Sequence, residues 1–206
     1  MTEAEWLACN DPEQALDFLG NNASDRELRL FACACCRTIW DLLTDERSRA
    51  AVEIAERMAD GTATENQRKV VWARIGAAMS VADVAASRAA DFHIDALEVA
   101  DLVLQSEAKT DDHALTLKAT QSTLIRCIFG NPFCPVVIAT TWQTRNVVAL
   151  AQAIYDERAF DRMPFLADAL EDVGCTNAEI LAHCRGPGPH VKGCWVLDLL
   201  LGKGTK

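Results

Sequence analysis

Apolar residues recur at intervals of three and four along most of the chain, the spacing of a buried helix face. The clearest stretch is LRLFACACCRTIWDLL, where Leu28, Phe31, Cys35, Ile39 and Leu42 form one stripe and Cys36, Trp40 and Leu43 widen it. Only Arg29, Arg37 and Asp41 remain for water, and a helix apolar around most of its circumference belongs at the centre of a fold. Ser24 and Glu27 stand ahead of it at capping-box spacing. Before it, Asp11-Pro12, then Ala15, Leu16 and Leu19, then Gly20, reads as a shorter helix with proline at its start and glycine past its end. Thr44 is placed to cap the next helix, with Asp45 and Glu46 at its positive end. Ala51, Ile54, Ala55 and Met58 then face inward as far as Gly61. Thr64 and Gln67 offer another capping box. From there Val71, Ile75, Met79, Ala82, Ala86, Phe92, Ala96 and Val99 keep the helical period to about Leu104, as one very long helix or two parted near Ala89–His93.

A helix starting at Thr110 or Asp111 carries Leu115, Leu124, Ile125 and Ile128, and stops at Gly130-Asn131-Pro132-Phe133-Cys134-Pro135. This break predicts that a single helical domain, 1–206, subdivides into lobes 1–130 and 136–202 on either side of 130–135. Val136 to Ile138 suits a short extended segment. Further helices follow from Thr144 through Ile154, from Asp161 to Gly174 with Pro164 in the first turn, from a Thr176/Glu179 cap to His183, and from Cys194 to Leu201. The expected fold is all-α, an orthogonal or bundle-like packing of roughly eight helices. Two similar strings, Thr44-Asp45-Glu46-Arg47 and Tyr155-Asp156-Glu157-Arg158, each precede a helix ending in glycine (Gly61, Gly174), as an internal duplication would.

Charge narrows the function classes. Thirty acids against 20 bases give a formal net charge of −10, so neither nucleic acid nor an anionic membrane surface is an expected partner. The opening MTEAEWLACNDPEQ lacks the basic and apolar regions of a signal peptide, and no run reaches the ~18 apolar residues of a membrane span. The expected address is cytoplasmic. The nine cysteines are then expected as reduced thiols.

The densest chemistry is His183-Cys184-Arg185-Gly186-Pro187-Gly188-Pro189-His190-Val191-Lys192-Gly193-Cys194. Soft nitrogen and sulfur ligands on a rigid loop suit four-coordinate zinc. Cys184, His190 and Cys194 are the first candidates, then His183, with Cys33 and Cys36 as a second ligand pair on one side of a helix. The spacing departs from a standard zinc finger, and buried cysteine also serves as a small apolar filler. A thiol enzyme would pair Cys184 or Cys194 with His190. Asp156, Glu157, Asp161, Asp168, Glu171 and Asp172 form an acidic cluster suited to steering a basic protein, with Trp142 and Trp6 as candidate exposed anchors. No phosphate loop, dinucleotide fingerprint, zinc-protease helix or nucleophile elbow is present. The leading reading is therefore a non-catalytic acidic module that binds another protein, with no cofactor. A zinc protein is the alternative, and a thiol enzyme the third.

The strings EWLACNDPEQALDFLG, SDRELRLFACACCRTIWDLLTDERSR, IFGNPF, LAQAIYDERAFDRMPFLADALEDVGC and ILAHCRGPGPHVKGCWVLDLLLGK resemble an uncharacterised family found in many copies in planctomycete-type bacterial genomes. The resemblance covers both ends of the chain better than its alanine-rich middle. Members are sometimes grouped with SMI1/KNR4-like immunity and regulatory proteins, a grouping that implies an α+β fold where this chain's own pattern implies helices throughout. The resemblance implies no activity and no catalytic residues.

Overall fold

A computed structural model describes residues 1–75, 81–89 and 95–203. Among them there are twelve α-helices and no strand: α1 (Glu3–Ala8), α2 (Pro12–Leu19), α3 (Asp25–Thr38), α4 (Glu46–Ala59), α5 (Glu65–Ile75), α6 (Val81–Ala89), α7 (Ala96–Glu107), α8 (Asp111–Phe129), α9 (Arg145–Glu157), α10 (Met163–Asp172), α11 (Ala178–Arg185) and α12 (Trp195–Leu201). The all-α expectation holds, but the number exceeds the expected eight. The described parts of the alanine-rich middle are α5, α6 and α7, and α1 is an additional short helix opened by a Thr2/Glu5 capping box. Met79, Phe92 and His93 lie outside the described residues, as does most of the expected break at Ala89–His93. No described helix is long and apolar enough to cross a membrane.

The chain divides into two compact units, Met1–Arg126 and Cys127–Lys206. In the first, α3 is central as its pattern predicts: every residue from Arg29 to Cys36 is buried, against α4, α6 and α7. Arg29 is among them, its guanidinium donating to the Ala89 carbonyl at 3.3 Å instead of facing water. The helix also ends earlier than the stripe suggests. The Thr38 hydroxyl donates to the Cys35 carbonyl at 2.7 Å, and the N–H groups of Leu42 and Leu43 reach only three residues back. That tighter winding turns Ile39 and Leu43 inward and leaves Leu42 exposed. Trp6, a candidate exposed anchor, is instead 1% exposed beside Phe18, because α1 folds it into this core.

Several caps fall as read. Asp11 and Ser24 accept from backbone N–H groups of the helices they precede, and Thr64 pairs with Gln67 in both directions. Two fall one residue later than expected: Asp45, not Thr44, caps α4, and Asn177, not Thr176, caps α11. A carboxylate or amide oxygen satisfies the free N–H there as well as a hydroxyl does. The two Asp-Glu-Arg strings occupy opposite ends of helices, the first opening α4 and the second closing α9 with Arg158 in the left-handed region.

In the second unit α9 packs against α10 and α12, and α10 against α11. Ile154, Tyr155, Met163, Leu166, Leu170 and Leu197 fill the space between them. Val136 and Ile138 pack on this core while Val137 between them is exposed. The expected extended segment therefore alternates like a strand without pairing as one.

Candidate metal centre

Four side chains of the second unit converge: Cys127, His183, His190 and Cys194, one ligand atom from each, all within 4.8 Å of one another. Cys127 stands in the last turn of α8. Just past the end of that helix Gly130 adopts φ +67°, and a Cβ built on it would lie 3.2 Å from Cγ of Trp195. Glycine therefore lets the chain turn sharply after Phe129 and lets α12 approach, which sets Cys194, the residue before Trp195, beside Cys127. Gly130→Ala should cost about 1–3 kcal/mol in chemical denaturation, because it combines left-handed strain with a close contact.

His183 lies near the end of α11, immediately before Cys184. Successive residues of a helix point about 100° apart, so the two cannot share a direction. His183 turns half-exposed to the cluster, and Cys184 is fully buried in the apolar core. Cys184 is thus not among the converging ligands. His190 comes from the Gly/Pro loop, and Cys194 is the residue before α12, its N–H bonded to the Val191 carbonyl at 3.0 Å. Cys33 and Cys36 belong to the core of the first unit. The Cys33 thiol lies 3.8 Å from the Val52 carbonyl, and burial pushes both thiols up, so they behave as apolar filler. None of the nine cysteines is in a disulfide.

The contacts within the cluster are between nitrogen and sulfur. His183 Nε2 lies 3.2 Å from Cys194 Sγ and 4.0 Å from Cys127 Sγ, and His190 Nδ1 lies 3.9 Å from Cys127 Sγ. The far-side Nε2 of His190 is buried with no hydrogen-bond partner, so this ring turns its interacting nitrogen to the sulfurs. The rings of His183 and His190 meet edge to face at 4.8 Å, and Trp195 tilts against His183 at 5.2 Å. The hydrogen bond to Cys194, followed by burial, pushes the Cys127 thiol up. Burial alone would raise Cys194 as well, but hydrogen bonds from Cys127, His183 and His190 reverse this and hold it well below the ordinary thiol range. A cluster of this composition could hold a metal ion.

The acidic face is less concentrated than its sequence. Asp156, Glu157, Asp161, Asp168, Glu171 and Asp172 are all exposed. Arg185 pairs with both Asp168 and Glu171, Arg162 pairs with Glu157 at 3.3 Å, and Asp156 accepts from Gln152. Trp142 is half-buried against the core of the second unit, packed instead of projecting as an anchor. No family model, curated protein or solved structure matches the chain.

Proposed function

We propose that the second unit binds one zinc ion through Cys127, His183, His190 and Cys194, and that the ion is structural. The observation that carries this reading is the convergence of two sulfurs and two imidazole nitrogens within 4.8 Å. Zinc–sulfur bonds of about 2.3 Å and zinc–nitrogen bonds of about 2.0–2.1 Å, arranged tetrahedrally, imply sulfur–nitrogen edges of about 3.6 Å. Three of the four such edges here, at 3.2, 3.9 and 4.0 Å, bracket that value. Two thiolates also neutralise the dication, so the ion and its ligands enter a buried site with no net charge, which lowers the desolvation cost. With four protein ligands there is no position for water or substrate, the arrangement of structural sites.

Two other readings have less support. A thiol enzyme would use the low-lying Cys194 beside His183, but Cys194 is fully buried, out of reach of any sizeable substrate. An acidic protein-binding face remains compatible with a structural zinc, and several of its carboxylates are already engaged by arginines or an amide within the unit. The zinc reading is tested by metal analysis of untagged protein purified without chelator. About one zinc per chain is expected, replaceable by cobalt(II) with the visible spectrum of a tetrahedral thiolate site. Cys184→Ala should keep that spectrum and Cys127→Ala should lose it. Metal-free protein that also fails to take up cobalt would sink the proposal.

A further inference from the structure

Cys127 and Cys194 are the only sulfurs in the four-residue cluster, and each is the other's neighbour. We propose that the site is also a redox switch: a peroxide oxidises these two residues to a disulfide, and the metal leaves. The inference rests on the zinc reading and adds regulation to the same site.

Two metal-bound thiolates give up two electrons and join in one sulfur–sulfur bond, while hydrogen peroxide takes those electrons and two protons to become two waters. The donor set then loses both of its anionic sulfurs, and two neutral imidazoles alone do not hold zinc against water. A dithiol reductant reverses the reaction by exchange and restores the ligands.

Geometry favours this pair over the other thiols of the unit. Sulfurs already held within 4.8 Å must close to about 2.05 Å, a movement of side chains and adjoining backbone. Cys194 sits at a junction and not inside a helix, so closing the pair need not break helical hydrogen bonds on its side. It stands between a loop and α12, directly after Gly193, and both Gly193 and Gly188 have positive φ. The two imidazoles form the half-exposed side of the cluster, the side from which a molecule as small as peroxide arrives. Cys184 faces the apolar core at the next position from His183, and Cys134 is exposed outside the cluster. The disulfide would cross-link the same two places, the end of α8 and the start of α12, that the metal holds. Oxidation should therefore release zinc without unfolding the unit, whereas chelation of the reduced protein should unfold it.

The test uses the zinc-loaded full chain carrying Cys134→Ser, which removes the exposed thiol, titrated with hydrogen peroxide. Released zinc is read with a colour-forming chelator, disulfides by peptide mass spectrometry under non-reducing conditions, and fold by circular dichroism. The expected result is one zinc released per Cys127–Cys194 disulfide, helical signal retained, and zinc rebinding after dithiothreitol. Repeating it in the Cys184→Ala background should change nothing. Zinc retained through the titration, or released with sulfinic acids or a Cys184–Cys194 link in place of the expected disulfide, would overturn the switch and leave the zinc reading standing. A chain found metal-free before any peroxide sinks the zinc reading, and the switch falls with it.

Discussion

Stripping the metal from the reduced protein should unfold the second unit at a temperature where the loaded protein is stable. The four proposed ligands come from three separate places, the last turn of α8, α11 and the loop before α12. No stretch of backbone hydrogen bonding joins these as a sheet would. Domains of this size draw only a few kcal/mol of net stability from their apolar cores. Structural zinc contributes roughly 10–16 kcal/mol of apparent binding energy in small finger peptides. With a helical core already present the net loss should be smaller, at least about 3 kcal/mol, which lowers the melting temperature of a unit this size by roughly 15 °C. Thermal melts with and without a strong chelator, under reducing conditions, read this directly. Cys194→Ser should melt like the stripped protein and be indifferent to chelator. Cys184→Ala should cost only about 1–2 kcal/mol, the loss of a small buried side chain, and remain chelator-sensitive. A melt that does not move while metal analysis shows the zinc gone would refute the structural role.

The helical class was legible because its signals are local: apolar residues at three and four, Ser24 with Glu27, Pro12 and Gly20 as punctuation. Positions whose fate depends on winding or on distant partners were not. Leu42 fits the stripe of α3 on an ideal helix, and only the tightened turn after Thr38 puts it outside. Trp6 lies in a short segment without an apolar repeat, so its burial could not be read from periodicity. At the metal centre, the Gly/Pro loop already marked His183, His190 and Cys194, since soft ligands crowd there. Cys127 carried no such mark. It stands amid Leu124, Ile125 and Ile128 on what reads as a core stripe, and it meets the loop only because the chain reverses at Gly130. Cys184 misled for the complementary reason: neighbours in sequence on a helix diverge in space, and His183 takes the direction that Cys184 therefore cannot.

In the first unit, Arg37→Ala should destabilise more than its partly exposed position suggests, by about 2–4 kcal/mol. Arg37 holds Glu56 in a two-pronged pair, Nε to Oε1 at 3.2 Å and Nη2 to Oε2 at 3.0 Å, and its guanidinium lies 3.8 Å from the centre of the Trp40 ring. The Glu56 side chain is only 4% exposed, beside the fully buried thiols of Cys33 and Cys36. Removing the arginine takes away a cation that helps offset a desolvated carboxylate, and that imbalance dominates the loss. The pair itself need not be a large net stabiliser, since both ions gave up water to form it. The two effects separate in a double-mutant cycle. Glu56→Gln placed on Arg37→Ala removes the buried charge that has lost this pairing while keeping an amide able to hydrogen-bond, so the double variant should be more stable than Arg37→Ala alone. Arg37→Lys should recover only part of the loss, because an ammonium cannot make the parallel pair of hydrogen bonds or lie flat on Trp40. If denaturant unfolding finds Arg37→Ala within about 0.5 kcal/mol of the parent, the range of an ordinary surface substitution, then the carboxylate is compensated elsewhere. The α3–α4 contact would in that case rest on its apolar packing and on the Arg26–Asp60 pair at 3.3 Å.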